Sequence, residues 1–204
     1  MTASIVKNKT ISSQCDDAIL QFSPEAFAKM YALIDNFSTE VAWHGLCYRD
    51  TVQSNRFIIY DILVYPQEVT GCTVTPGQKE YEDWLYDELT DVEFTDLKMH
   101  GHSHVNFSPS PSGTDTEYQN GKLKDVGDDD FYIFMICNKD MCSWVRIYDK
   151  ANNVLYHTSD IDIVISSVDC DIEDFLDKAH KKVRTRCNED GEDVISDDGS
   201  FEKL

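Results

Sequence analysis

His102-Ser103-His104-Val105-Asn106-Phe107-Ser108-Pro109-Ser110-Pro111-Ser112-Gly113-Thr114-Asp115 is the stretch around which the rest of this 204-residue chain can be placed. The β-prone run Val92 to Met99 leads into it. Side chains alternate faces along a strand, so His102 and His104, two apart, point the same way and can ligate one ion. Asn106 to Pro111 cannot continue a strand or a helix and reads as a loop. Ser112-x-x-Asp115 ahead of Thr116-Glu117-Tyr118 reads as a helix start, with Ser112 at the N-cap and Asp115 in the first turn. The loop can then swing Asp115 back towards the histidines.

Two imidazoles and one carboxylate are three ligands, which leaves the fourth tetrahedral position of a zinc ion open to water, as in catalytic and not structural zinc sites. Such an ion lowers the pKa of water from 15.7 to about 7 and polarises a carbonyl. Ser112 is then free to hydrogen-bond the oxyanion that forms when that carbonyl is attacked. Only one register works: starting from His100 and His102 puts Ser110 and Gly113 at the two downstream positions, and glycine cannot ligate. His100 shares the strand parity of the two ligands but reads as a packed or solvated histidine.

His-x-His, seven residues, Ser-x-x-Asp resembles the motif of the JAMM (MPN+/JAB) metallopeptidases, which include zinc deubiquitinases and their prokaryotic relatives. The resemblance covers roughly residues 22–165. It implies zinc held by His102, His104 and Asp115, Ser112 as oxyanion stabiliser, and an upstream glutamate as general base. In that family the glutamate follows the first helix at the start of a strand, and Glu40, ahead of Val41 to Tyr48, is the residue that fits. The chain departs from the family in having Trp43-His44 before Gly45, where many relatives carry small residues, and this bears on the shape of the pocket. The fold implied is the JAB/MPN one, a curved mixed sheet flanked by helices. The activity implied is hydrolysis of an amide after the C-terminus of a ubiquitin-like protein, with Glu40 taking the water's proton. Two alternatives stay open: a JAB/MPN-fold scaffold or binding module without turnover, and a JAB peptidase acting on a peptide that is not ubiquitin-like.

Working outward, the composition fits a single soluble domain with enough chain for a core, at 41% hydrophobic residues. No run of about 18 apolar residues is present and Met1 to Ser4 does not open a signal peptide, so a cytoplasmic protein with no membrane association is expected. The net charge of −20 repels phosphate backbones, so a protein or peptide substrate is expected and nucleic acid is not. Seven cysteines (Cys15, Cys47, Cys72, Cys137, Cys142, Cys170, Cys187) without a Cys-x-x-Cys pair read as buried, reduced thiols.

The expected elements make a mixed α/β (α+β) domain over residues 1–187. They are a short strand from Asp17 to Phe22, and a helix opened by Ser23-Pro24-Glu25 that buries Phe27, Met30, Tyr31 and Ile34. Strands follow at Val41 to Tyr48 and Arg56 to Tyr65, then a helix to Leu89 with an apolar stripe of Tyr81, Trp84 and Leu85. After the motif helix comes an acidic loop, Lys122 to Asp130. Strands follow at Phe131, Cys142, Val154 and Ile161, with hairpin turns at Asn138-Lys139-Asp140 and Lys150-Ala151-Asn152-Asn153, and a helix spans Glu173 to Arg186. Residues 188–204 have too little apolar content to pack and read as a flexible acidic tail.

Overall fold

The computed structural model of the protein describes residues 17–69, 74–75, 77–166 and 173–185; the N-terminal segment and the acidic tail lie outside them. In chain order the elements are β1 (Ala18–Phe22), α1 (Pro24–Asn36), β2 (Ala42–Arg49), β3 (Arg56–Leu63), β4 (Gln67–Val69), β5 (Val74–Thr75), α2 (Gln78–Asp87), α3 (Asp91–Asp96) and β6 (Leu97–Ser103). Then come α4 (Gly113–Lys122), β7 (Phe131–Cys137), β8 (Ser143–Asp149), β9 (Val154–His157), a 3-10 turn, β10 (Ile161–Ile165), α5 (Glu173–Lys182) and β11 (Val183–Thr185). This is the mixed α+β architecture the sequence predicts.

Eight strands form one mixed sheet in the order β10-β1-β3-β2-β6-β7-β8-β9, with β6 near its middle. The sheet curls strongly. Phe57 on β3 and Tyr156 on β9 are five strand steps apart, about 24 Å at the usual spacing, yet their ring centroids are 6.1 Å apart. The bidentate pair from Arg49 on β2 to Asp149 on β8, 2.7 Å for each bond, spans the same curve. The principal core fills the sheet's inner face with Leu20, Phe22, Trp43, Phe57, Met99, Ile133 and Met135, and α1 adds Met30, Leu33 and Ile34. Helix α1 starts where Ser23 Oγ accepts from Ala26 N at 3.1 Å, with Pro24 at the first helical position.

β2 and β7 are buried on both faces, which is why they read as continuous apolar runs and not as alternating ones. Val41, just before β2, and Trp43 on it enter the principal core, while Ala42 faces a second cluster containing Tyr65 and Trp84, with Tyr81 packed against it. Helix α2 therefore roofs the outer face of β2 and β6, and its stripe of Tyr81, Trp84 and Leu85 is core, as expected.

Several expectations are corrected. Tyr31, expected on the buried face of α1, is exposed, and Leu33 packs there instead. Asp91–Asp96 is a helix, not the beginning of the motif strand, because Thr90 and Glu93 close a capping box. The strand starts only at Leu97. β3 stops at Leu63, two residues short of the expected end, and Tyr65 turns into the second cluster. The C-terminal helix stops at Lys182, because Val183–Thr185 pairs in parallel with Gln67–Val69 to make a small three-stranded sheet with β5. Cys47 and Cys137 are buried thiols as expected, but Cys142 is exposed; the other four cysteines lie outside the described residues.

Candidate metal centre

Strand register builds the site. β2 and β6 run antiparallel with Ala42 opposite His102 and His44 opposite His100. Directly opposed residues share a face, and the face repeats every second residue. Glu40, Ala42 and His44 therefore stand on the same side of the sheet as His100, His102 and His104. One step inward, Ser103 N donates to Val41 O at 2.9 Å and Val41 N donates to Ser103 Oγ at 3.1 Å, which carries the register to the point where Glu40 faces His104. Where β3 has turned away, the Gln67 side chain takes its place. Its Oε1 accepts from Ala42 N at 2.8 Å and its Nε2 donates to Ala42 O at 2.9 Å. Gln67 thus fixes the start of β2, and with it the backbone that carries Glu40.

The chain reverses just after His104. Val105 sits at φ 46°, an uncommon conformation for a β-branched residue. Two hydrogen bonds to the turn after β7 hold it there: His104 N donates to Cys137 O at 2.7 Å and Lys139 N to Val105 O at 2.8 Å. The loop then returns to α4, whose N-terminus carries Ser112 and Asp115. Ser112 Oγ accepts from Asp115 N at 3.2 Å, and Ser112 N donates to Asp115 Oδ2 at 2.6 Å. The capping box that starts the helix also orients the carboxylate.

Three ligand atoms converge as a result. His102 Nε2 is 3.0 Å from His104 Nε2 and 3.2 Å from Asp115 Oδ1, and His104 Nε2 is 3.6 Å from Asp115 Oδ2. All three residues offer atoms within 4.8 Å of one another, so the group can hold a metal ion. The two carboxylate contacts use different Asp115 oxygens, Oδ1 towards His102 and Oδ2 towards His104. A tetrahedral ion with bonds of about 2.0–2.1 Å sets its ligand atoms about 3.3 Å apart. The tautomer of His104 agrees. Its Nδ1 lies 2.8 Å from the Ser108 carbonyl, which only accepts, so Nδ1 carries the proton and a neutral ring offers its lone pair at Nε2. Burial opposes charge on Asp115, but hydrogen bonds from the His102 and His104 rings and the Ser112 amide hold its carboxyl well below the usual range; a metal ion bound by the trio would take the place of the ring protons at Nε2.

Glu40 is 8% exposed and lies in the same cleft. Burial raises its pKa, with His102 and His104 pulling the other way and Asp115 adding to the rise, which suits a carboxylate that must take up a proton and release it. The cleft has a volume of about 630 Å³ and continues from the ligand trio past Ala42 to an end walled by His44, Tyr65, Tyr81, His100 and Tyr118. His100 is a packed histidine there, 3.3 Å from Tyr65 Oη and tilted against the Tyr118 ring. The acidic loop takes no part: Asp128 and Asp129 are exposed and neither lines the cleft.

The sequence thus brings His102, His104, Ser112, Asp115 and Glu40 to one cleft. Gln67 and the strained Val105 escaped the reading, because their roles depend on strand register and on tertiary hydrogen bonds. Compared with family models and with curated proteins, the chain matches none. Among the described residues no helix is long and apolar enough to cross a membrane.

Proposed function

We propose that the chain is a zinc-dependent hydrolase of amide bonds, of the JAMM/MPN+ kind that its motif resembles, acting on a protein or peptide. The observation that carries this reading is the convergence of the His102, His104 and Asp115 ligand atoms at a cleft that also holds the buried carboxyl of Glu40. Zinc, when bound by this trio, supplies Lewis acidity at the carbonyl and an acidified water. The chain's own residues do the rest. Glu40 accepts a proton from the attacking water and passes it to the leaving amine. Ser112 Oγ accepts from the α4 backbone and so keeps its own proton to donate to the developing oxyanion. The C-terminus of a ubiquitin-like protein is the acyl side that the resemblance suggests.

Glu40→Gln and Asp115→Asn separate base from ligand. Glu40→Gln is expected to retain one zinc per chain and lose about 10²- to 10⁴-fold in turnover, because only proton transfer is removed. Asp115→Asn is expected to lose bound zinc and activity together, with partial recovery in excess zinc. Elemental analysis and cleavage of ubiquitin-like fusions, with and without a chelator, read both. Near-normal turnover in Glu40→Gln would remove Glu40 as the base, and a wild-type zinc content near zero would remove the metal centre.

A further inference from the structure

A metal-ligating imidazole uses both of its nitrogens. The one that meets the metal is bare, so the other carries the proton and needs an acceptor. His104 finds its acceptor in the Ser108 carbonyl, 2.8 Å from Nδ1. His102 also turns Nε2 to the trio, 3.0 Å from His104 Nε2 and 3.2 Å from Asp115 Oδ1, but its Nδ1 has no hydrogen-bond partner among the described residues. Beside this buried ring lies a small cavity of about 10 Å³, with Phe134 and Ile136 on its apolar side and His102, Asp115 and Gln119 on its polar side. That is about the room one water molecule takes.

Register and helix period place Gln119 there. His102 lies opposite Ile136 in the parallel pair of β6 and β7, so both stand on the face that α4 covers, where Tyr118 meets His100 and Phe134. Gln119 follows Asp115 by four residues, about one turn along the same side of α4. Helical side chains lean towards the N-terminus, so the side that aims the Asp115 carboxylate at the trio aims the Gln119 amide back towards His102. Gln119 is only 5% exposed, and its side-chain amide makes no hydrogen bond among the described residues. A buried amide left so costs about 1–3 kcal/mol. A donor on His102 and an amide on Gln119, both unmet, thus border one water-sized space.

We infer that Gln119 is a positioning residue for the metal centre, acting on His102 through one ordered water in this cavity. The water accepts from His102 Nδ1–H and donates to Gln119 Oε1, and Asp115, the third polar wall, offers its second proton an acceptor. The bridge fixes the His102 tautomer and ring orientation, as the Ser108 carbonyl does for His104. The inference rests on the zinc reading and adds to it a residue outside the ligand motif.

Two variants of the full chain separate the acceptor from the packing. Gln119→Met keeps the length of the side chain and suits a helix, so the metal-free melting temperature should stay with the wild type. Its zinc affinity, titrated against a competing chelator, should fall roughly 10- to 100-fold, the usual effect of removing the group that holds a ligating histidine. Gln119→Glu keeps an acceptor in place and should bind zinc within a few-fold of the wild type. NMR of the zinc-loaded, isotope-labelled chain reads the contact without turnover. The Nδ1–H signals of His102 and His104 should both be protected from exchange in the wild type and in Gln119→Glu, and that of His102 alone should be lost in Gln119→Met. In the wild type the His102 Nδ1–H should also show an Overhauser contact to bound water, which decides the matter even if Gln119→Met folds poorly; its absence would overturn the inference. Unchanged zinc affinity in Gln119→Met, or an equal loss in Gln119→Glu, would overturn it too and leave the metal centre standing. A wild-type chain that binds no zinc would overturn the metal centre, and the role of Gln119 with it.

Discussion

Gly101 lies between His100 and His102 on β6, and a single methyl group there tests whether the core holds the metal centre in place. A Cβ at this position would land against the Nε1 and Cε2 atoms of Trp43 and 2.8 Å from its Cζ2. Carbon atoms pack at about 3.5–4.0 Å, so the indole or the strand must yield by about 1 Å. Trp43 is fully buried in the principal core and has nowhere to go. Overpacking of this kind costs about 1–3 kcal/mol, set against a gain of about 0.5–1 kcal/mol from replacing glycine in a strand. The net expectation for Gly101→Ala is a loss centred on about 1 kcal/mol, a fall of about 2–4 °C in melting temperature for a chain of this size. The same 1 Å carries His102 away from its 3.2 Å approach to Asp115, so zinc affinity should fall as well. Thermal denaturation and zinc titration with a competing chelator measure the two effects. Trp43→Leu in the same background should return part of both, a coupling readable as a double-mutant cycle. If Gly101→Ala melts with the wild type and binds zinc equally well, the close approach of strand and indole does not govern the site.

Two further outcomes follow from the buried polar groups. Burial lowers the pKa of His44 from 6.5 to about 4, so between these values the unfolded chain binds the proton and the folded one does not; stability should fall by about 3 kcal/mol as pH drops from about 6.5 to 4, and denaturant titrations of wild type and His44→Gln across that window should differ in slope. Arg49→Met leaves the Asp149 carboxylate buried without its guanidinium, though still accepting from Asn152, and should cost about 3 kcal/mol in a urea titration; a loss below 0.5 kcal/mol would mean the pair does not hold the curl of the sheet.

Much of the candidate site is local and so is legible in the residues themselves. Strand parity puts His102 and His104 on one side, the Pro-rich loop must turn, and Ser112-x-x-Asp115 caps a helix; each step depends on backbone geometry within a few residues, and the structure contains all three. The Thr90-x-x-Glu93 capping box is equally local, and it prevails over the β-prone character of the run around it. Glu40 is different. Its place was suggested only by the family resemblance, and what sets it beside the trio is the antiparallel register of β2 against β6, an agreement between strands some sixty residues apart that no local pattern encodes.

The small sheet of β4, β5 and β11 also escaped the sequence, since a three-residue strand has too little period to be seen and exists only when its partner arrives. So did the curl that brings Phe57 to Tyr156, and the ring-lined end of the cleft. In the sequence Tyr65 and Tyr81 belong to two separate apolar patterns, each expected to be buried, and Tyr118 stands in no such pattern. Burial is a property that a residue type announces by itself, through the cost of leaving its surface in water. Which apolar groups share one cavity is decided by how the elements pack, and that depends on every contact at once.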